Sequence, residues 1–182
     1  ALRVFKAAKD AAECINVMLL LARVPELSNF EPVSVGEVAY AEVVTYQSLV
    51  AGKPVRLICV GDAPLIMRAP VELCRSAVAN LVRNACEYTE QGEVTVILGE
   101  NHLTVQDTGP GLPEAVKSTL GHGNRLAPSS GSLGTGLGLS LVTRICDYLN
   151  ASFEYESRKG GGSRFTIRFR ATESTDRKAE QE

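Results

Sequence analysis

Residues 105–113 of the chain read Val105-Gln-Asp107-Thr-Gly109-Pro-Gly111-Leu-Pro113. The acidic residue stands at the end of a short run with the alternation of a strand, and two glycines follow it. Because glycine has no Cβ, the backbone of such a turn can approach a flat ligand closely. The stretch therefore predicts a ligand-binding turn at one end of a strand.

Glycines continue downstream of this turn. Eight of the 16 glycines lie between residues 109 and 138, and the last group reads Gly131-Ser-Leu-Gly134-Thr135-Gly136-Leu-Gly138. The spacing of Leu137, Leu141, Ile145 and Leu149 predicts a helix that begins there. Free backbone amides at the start of a helix bind anions, most often phosphate. The group is neither a Rossmann fingerprint, which a strand would precede directly, nor a P-loop, which would continue with Gly-Lys-Ser/Thr.

Upstream of the turn, residues 80–89 read Asn80-Leu-Val-Arg-Asn84-Ala-Cys-Glu87-Tyr88-Thr89. They fall on a helix predicted from Pro70 to about residue 88. At about 100° per residue, positions 80, 84 and 87 share one face. Helix interiors disfavour Asn, so two of them one turn apart indicate either a shared polar ligand or an exposed polar face.

The other predicted elements are a helix over residues 2–23, a helix over 34–50 with Ser34 as its N-cap, a strand over 55–60, and two hairpins, 94–98 with 103–106 and 152–155 with 163–169. This mixture of helices and antiparallel hairpins predicts an α+β fold, with one sheet covered by helices on one face.

Composition excludes several classes of protein. The chain has 182 residues, enough for one substantial core, and its net charge of -2 comes without a basic block, so nucleic acid is not expected as a partner. Its apolar runs are shorter than the ~20 residues that span a bilayer, so no membrane segment is expected. The five cysteines are odd in number and show no CxxC pairing, which indicates free thiols in a reducing cytoplasm.

The tripeptide Asp107-Thr-Gly109 is also how aspartic proteases present their catalytic acid. Those sites need two carboxylates that share a proton, in a β-rich chain with an apolar pair before the acid. Here Gln106 precedes Asp107. The protease is therefore a weak alternative.

In their order along the chain, the three clusters resemble the catalytic ATP-binding domain of two-component sensor histidine kinases, within the group that includes gyrase, Hsp90 and MutL. Residues 80–89 resemble the N box, 107–111 the G1 box and 134–139 the G2 box, and the resemblance covers roughly residues 30–171. It implies a two-layer α/β sandwich, the Bergerat fold, with a mixed and mostly antiparallel sheet. It divides the chain into the end of a helical dimerisation and phosphotransfer bundle (1–24), a linker (25–33), the ATP-binding domain (34–171) and a solvated tail (172–182).

The resemblance implies ATP and Mg²⁺ as cofactors. Asp107 would accept a hydrogen bond from the exocyclic amine of adenine, Asn84 would coordinate Mg²⁺, and Asn80 would assist at the phosphates. A lid over residues 112–133 would close the site, with Lys117 or Arg125 reaching the terminal phosphate. The implied catalytic residues are Asn80, Asn84 and Arg125, and the implied nucleotide-binding residues are Asp107, Gly109, Gly111, Gly134, Thr135, Gly136, Leu137, Gly138, Lys117 and Tyr88.

Two positions depart from the family pattern. Glu87 stands where the family usually has Lys or Arg, which predicts weaker nucleotide binding unless Arg83 or a lid cation compensates. The lid also lacks the usual F-box phenylalanine, for which Leu120 or Leu126 would have to substitute.

Asn80 bears on the type of reaction. Related ATPases have a Glu at this place that activates water, and an amide cannot take up a proton. Slow hydrolysis and transfer of the γ-phosphoryl group to another nucleophile, a histidine, are therefore expected.

The two histidines of the chain do not match the phosphoacceptor of the family. Neither His102 nor His122 lies on a predicted helix and is followed by an acid. The expected protein is thus a sensor histidine kinase whose acceptor histidine lies outside this chain. Its expected partners are a response regulator and a second copy of the full-length protein, and the expected location is the cytoplasm, with or without a membrane anchor on the parent protein. The alternatives are a nucleotide-sensing or protein-binding module without catalysis, and a serine kinase or ATPase of the same fold.

Overall fold

The computed structural model describes residues 30–114 and 137–170, together with positions 11, 12, 15, 17–19, 21 and 22, which are helical. Ten elements follow in chain order: β1 (Pro32–Ser34), α1 (Val35–Val50), β2 (Val55–Val60), β3 (Ile66–Arg68), α2 (Val71–Tyr88), β4 (Gly92–Leu98), β5 (His102–Asp107), α3 (Leu137–Tyr148), β6 (Ser152–Ser157) and β7 (Ser163–Arg168).

Five of the strands form one sheet in the order β2-β4-β5-β7-β6. Only the β2–β4 pair is parallel, and the three other pairs are antiparallel. Strands β1 and β3 form a separate antiparallel pair. The mixed, mostly antiparallel sheet predicted from the sequence is confirmed.

The two faces of the sheet differ in polarity. Val96, Val105 and Phe165 are cross-strand neighbours on β4, β5 and β7, and all three are buried on the side of the helices. Each such side chain contributes about 1.5–3 kcal/mol by leaving water. On the opposite face the hydroxyls of Thr104 and Thr166 are hydrogen-bonded at 2.9 Å. The helices therefore cover one face, as predicted.

Helix α2 is the central helix of this layer, because it packs against both α1 and α3. Its apolar side, which includes Leu73, Val78 and Val82, is almost completely buried. This packing fixes the orientation of the residues on its other positions, including Asn80 and Asn84.

The helix predicted over residues 34–50 is confirmed as α1, with the Ser34 hydroxyl accepting a hydrogen bond from the Glu37 amide at 3.2 Å. The three-residue strands β1 and β3 were not predicted. Both are too short for an alternation to be visible, and β3 lies between two prolines, Pro64 and Pro70. Their pairing comes from tertiary structure rather than from local preference.

The cysteines that the structure describes, Cys59, Cys74, Cys86 and Cys146, are free thiols. Burial raises the pKa of Cys74 and of Cys86 to about 11, so both remain protonated near neutral pH. In the described part of the chain, no helix is long and apolar enough to cross a membrane. The predicted domain boundaries at residues 24, 33 and 171 stay predictions.

Candidate functional site

The predicted N and G1 boxes meet at one end of the sheet. The end of β5, the last turns of α2, the beginning of α3 and the beginning of β7 surround a cleft lined by Asn84, Ala85, Tyr88, Asp107, Pro110, Gly111, Leu112, Leu139, Ser163 and Phe165. Its volume is about 40 Å³, whereas pockets that hold small-molecule ligands typically have about 300–1,000 Å³. A ligand as large as a nucleotide would therefore extend beyond these walls.

A larger cavity, of about 290 Å³, lies at the other end of the sheet, between the end of α3 and the strands β6 and β7. None of the site residues predicted from the sequence lines it. The candidate site is therefore assigned to the smaller cleft, because there several chemically active groups converge.

Asp107 is the central residue of this cleft. It ends β5 and is only 6% exposed. Its Oδ1 accepts hydrogen bonds from the backbone amides of Gly109 at 2.8 Å and Ser163 at 3.3 Å. Within the described residues no hydrogen bond engages Oδ2. One carboxylate oxygen is thus fixed by backbone, and the other remains available to a hydrogen-bond donor of a ligand.

Burial raises the pKa of the Asp107 carboxyl. The two backbone hydrogen bonds and the nearby charge of Arg158 oppose this increase but do not cancel it. The carboxylate consequently accepts a hydrogen bond in a poorly solvated place, where an unmatched partner is costly.

The glycines of this turn are required by close contacts. A Cβ at Gly109 would lie 3.0 Å from both Asp107 Oδ1 and the Tyr88 carbonyl oxygen. Gly111 has φ +77, a left-handed conformation that other residues rarely adopt. The turn therefore needs glycine to fold closely around the acid.

Asn80 and Asn84 have different surroundings although they are one turn apart. Asn80 is 1% exposed; its Nδ2 donates to the Ser76 carbonyl oxygen at 2.8 Å, and its Oδ1 accepts from Arg83 Nη2 at 2.7 Å. A donation to the carbonyl four residues earlier is how a polar residue is accommodated inside a helix. Asn84, by contrast, lines the cleft.

Both amides lie beside the beginning of α3. A Cβ at Gly138 would be 2.8 Å from Asn80 Oδ1 and 3.5 Å from Asn84 Nδ2. The glycine thus lets α3 approach α2 closely. The structure brings Asn84, Tyr88, Asp107 and Gly111 to the cleft itself, and it places Asn80 and Gly138 at the helix–helix contact next to it.

Lys53 is a residue of this region that the sequence did not reveal. Its Nζ donates to the carbonyl oxygens of Cys86, Glu87 and Thr89 at 3.1–3.2 Å. A cation at a helix C-terminus satisfies carbonyls that have no partner within the helix. Lys53 therefore fixes the end of α2 that carries Tyr88. A contact across 33 or more residues leaves no local pattern in the sequence.

Ser163, Phe165 and Arg158 were also missed. Ser163 and Phe165 line the cleft from β7, and Arg158 Nη1 donates to the Asp107 carbonyl oxygen at 2.6 Å. The run Gly160-Gly-Gly162 before β7 was the available signal, but it indicated only a turn.

Several predicted site residues lie outside the described residues: Lys117, Arg125, Gly134, Thr135 and Gly136, with His122, Leu120 and Leu126 of the predicted lid. Leu137 is the first residue of α3. The roles assigned to all of these residues stay predictions.

Residues 70–173 match the family described as histidine kinase-, DNA gyrase B-, and HSP90-like ATPase. The match covers more than half of the chain, so the chain belongs to this family. It carries a histidine kinase-type ATPase domain of the kind found in sensor kinases. The family and the fold predicted from the three boxes are both confirmed.

Curated relatives are sensor kinases. The chain is 38% identical over 129 residues to the adaptive-response sensory kinase SasA of Crocosphaera subtropica, and this alignment covers 66% of this chain and 34% of SasA. It is 34% identical over 170 residues to the phosphate regulon sensor protein PhoR of Pseudomonas aeruginosa, and this alignment covers 85% of this chain and 38% of PhoR. The alignments therefore span between a third and two fifths of these relatives.

Solved structures share the fold. The cytoplasmic segment of histidine kinase QseC superposes with a TM-score of 0.66 at 20% identity, covering 89% of this chain and 93% of that one. The catalytic domain of histidine kinase ThkA gives a TM-score of 0.61 at 21% identity, covering 78% and 97%.

Proposed function

We propose that the chain binds Mg·ATP in the cleft at Asp107 and transfers the γ-phosphoryl group to a histidine outside the chain. The observation that carries the proposal is the difference in hydrogen bonding between the two oxygens of the Asp107 carboxylate. Two backbone amides fix its Oδ1, whereas no described residue hydrogen-bonds its Oδ2, and Asp107 lines the cleft together with Asn84.

The proposed preference for adenine follows from hydrogen-bond chemistry. The exocyclic amine of adenine donates a hydrogen bond, which Asp107 Oδ2 can accept. Guanine presents a carbonyl at the same ring position, so two acceptors would face each other in a buried place.

The donor set also fits a magnesium ion. Asn84 lines the cleft, and no described residue hydrogen-bonds its Oδ1. An amide oxygen together with phosphate oxygens is the hard donor set that Mg²⁺ prefers. The ion would neutralise phosphate charge, while Asn84 orients the phosphates relative to the base held at Asp107.

Transfer rather than hydrolysis is supported by the chemistry of Asn80. Its amide cannot act as a base, and it is hydrogen-bonded to Ser76 and Arg83. The described residues of α2 thus supply no group at this turn to activate water.

A histidine of another segment would serve as the nucleophile. His102 begins β5 and Asp107 ends it, so five residue steps of about 3.3 Å separate the two by about 17 Å. We further propose that the acceptor lies on a helical bundle, that the parent protein acts as a homodimer at the cytoplasmic side, and that a response regulator receives the phosphoryl group.

A second candidate function is nucleotide sensing without transfer. Glu87, in place of the usual cation of the family, favours it, since an acid near the phosphates weakens their binding.

The test is titration calorimetry with ATP and Mg²⁺, followed by incubation with γ-labelled ATP and the acceptor bundle of the parent protein. Binding with labelled bundle is expected. Binding without label would support the sensing module, and absence of binding would contradict both functions. Asp107→Asn should abolish ATP binding, and Glu100→Gln, in the exposed turn between β4 and β5, is its matched control. An ATP affinity of Asp107→Asn within twofold of the native value would refute the adenine assignment.

A further inference from the structure

We infer that Arg158 is a positioning residue for recognition of the base, because its guanidinium holds the strand end that presents the Asp107 carboxylate to the ligand. The inference rests on the proposed function, and it concerns a residue in the turn between β6 and β7 that no box of the family includes.

The contact is direct. Arg158 follows β6 immediately, and its Nη1 donates to the Asp107 carbonyl oxygen at 2.6 Å. The turn itself is closed by two further hydrogen bonds, from the Arg158 amide to the Gly162 carbonyl oxygen and from the Gly161 amide to the Arg158 carbonyl oxygen, both at 3.2 Å. The guanidinium is therefore presented by an ordered turn.

The backbone of the turn between β6 and β7 also packs against the Asp107 carbonyl group. A Cβ at Gly162 would lie only 2.0 Å from the Asp107 carbonyl oxygen. The neighbouring Ser163 amide donates to Asp107 Oδ1. Turn and strand end are thus joined at the backbone carbonyl and at the carboxylate of one residue, so a shift of the turn would move the acid.

Arg158 donates to the backbone carbonyl oxygen of Asp107 and not to its carboxylate, and this difference affects ligand binding. Arg158 binds the backbone oxygen and leaves the carboxylate alone, so Oδ2 stays available to a ligand. A cation paired directly with the carboxylate would compete with the exocyclic amine. The arrangement supplies positive charge to the acid without occupying its ligand-binding atom.

The charge acts on the titration of the acid. Besides Arg158, the charged residues on the surrounding elements include Arg83 and Glu87 on α2, Glu93 on β4, Lys159 in the turn and Arg164 on β7. The charge of Arg158 lowers the pKa of Asp107, and no other charged group among the described residues contributes to the shift. Burial works in the opposite direction and dominates. Loss of the charge would raise the pKa of Asp107 further, so the carboxyl group would take up a proton at a higher pH. The protonated oxygen would then be a hydrogen-bond donor rather than an acceptor.

The experiment measures ATP affinity of the full chain between pH 5 and pH 8.5 by calorimetry at saturating Mg²⁺. For Arg158→Gln we expect about threefold to tenfold weaker binding at neutral pH, a larger loss in acid, and a midpoint of the pH profile that moves up by about half to one pH unit. Arg158→Lys, which keeps the charge, should largely restore the native midpoint. Lys159→Gln removes the adjacent, exposed cation and should leave affinity and midpoint unchanged.

Three results would overturn the inference: an Arg158→Gln profile that superposes on the native one, an equal loss at every pH, or the same shift in Lys159→Gln. Thermal unfolding of each variant separates loss of folding from loss of binding. If Arg158→Gln does not fold, Arg158→Lys still tests the inference, because a midpoint shifted by about half a pH unit or more in this variant, which keeps the charge, would contradict it. If the native chain binds ATP and Asp107→Asn does not, a null result at Arg158 refutes this inference alone. If the native chain does not bind ATP, the proposed function fails and the inference with it.

Discussion

The two ends of the sheet differ in what they offer a ligand. At the end with Asp107 the cleft is small, but a carboxylate with one fixed and one available oxygen, an open asparagine amide and a glycine turn converge there. At the other end the cavity is about seven times larger, about 290 Å³ against 40 Å³. Its rim includes Asp147 and Arg170, which are exposed to solvent. The arrangement of polar atoms, rather than the volume, is therefore the basis on which we propose the end with Asp107 as the functional end.

After the loss of binding expected for Asp107→Asn, the largest effect concerns Asn84. Asn84→Ala should weaken Mg-dependent ATP binding about 100-fold, equivalent to about 2.7 kcal/mol, and leave binding without Mg²⁺ nearly unchanged. The physical reason is the loss of the one amide oxygen proposed to face the ion. Calorimetry with and without Mg²⁺ measures it. Asn101→Ala, at the other end of the sheet, is the control; equal losses with and without the metal would refute the metal role.

The next effect is on stability and separates the two asparagines. Asn80→Leu removes the hydrogen bonds of a side chain that is 1% exposed, including those with the Ser76 carbonyl oxygen and Arg83 Nη2, so the free energy of unfolding should fall by about 1–3 kcal/mol. Asn84→Leu, at the cleft, should cost less than half of that. Urea unfolding followed by circular dichroism checks both. If Asn80→Leu were as stable as the native chain, the structural role given to Asn80 would be wrong.

A smaller effect is expected at the glycine turn. Gly109→Ala places a methyl group 3.0 Å from Asp107 Oδ1 and from the Tyr88 carbonyl oxygen, and the resulting shift should lower ATP affinity about tenfold, or about 1.4 kcal/mol. Gly52→Ala is matched to it, since a Cβ there meets nothing within 4 Å. Similar affinities of the two variants would show that the turn does not have to be tight.

The smallest effect is expected at the other end of the sheet. Asp147→Asn and Arg170→Gln alter the rim of the larger cavity, and both should bind ATP within twofold of the native affinity. Calorimetry under the same conditions measures this. A loss above tenfold in either variant would move the functional site away from Asp107.

Local patterns in the sequence were sufficient for the family, the fold class and the meeting of the N and G1 boxes. The alternation of β4 and β5, the apolar spacing of α2 and the glycines after Asp107 are all visible within windows of ten to twenty residues. They were informative because backbone geometry alone relates such spacing to a face or a turn.

Contacts between distant segments could not be predicted. The donation from Lys53 to the end of α2 spans 33 or more residues, and that from Arg158 to Asp107 spans 51. The helical spacing of Asn80 and Asn84 indicated only that the two residues share one face. The packing of α3 at Gly138, a contact between distant segments, makes the difference between the buried amide of Asn80 and the accessible amide of Asn84.

The most direct test of the central claim, that Asp107 Oδ2 recognises the exocyclic amine of adenine, compares ATP with inosine triphosphate, which has a carbonyl in place of that amine. The native chain should bind ATP about 100-fold more tightly. In Asp107→Asn, which lacks the carboxylate acceptor, neither nucleotide should bind measurably. Equal affinities of the native chain for ATP and inosine triphosphate would contradict the account.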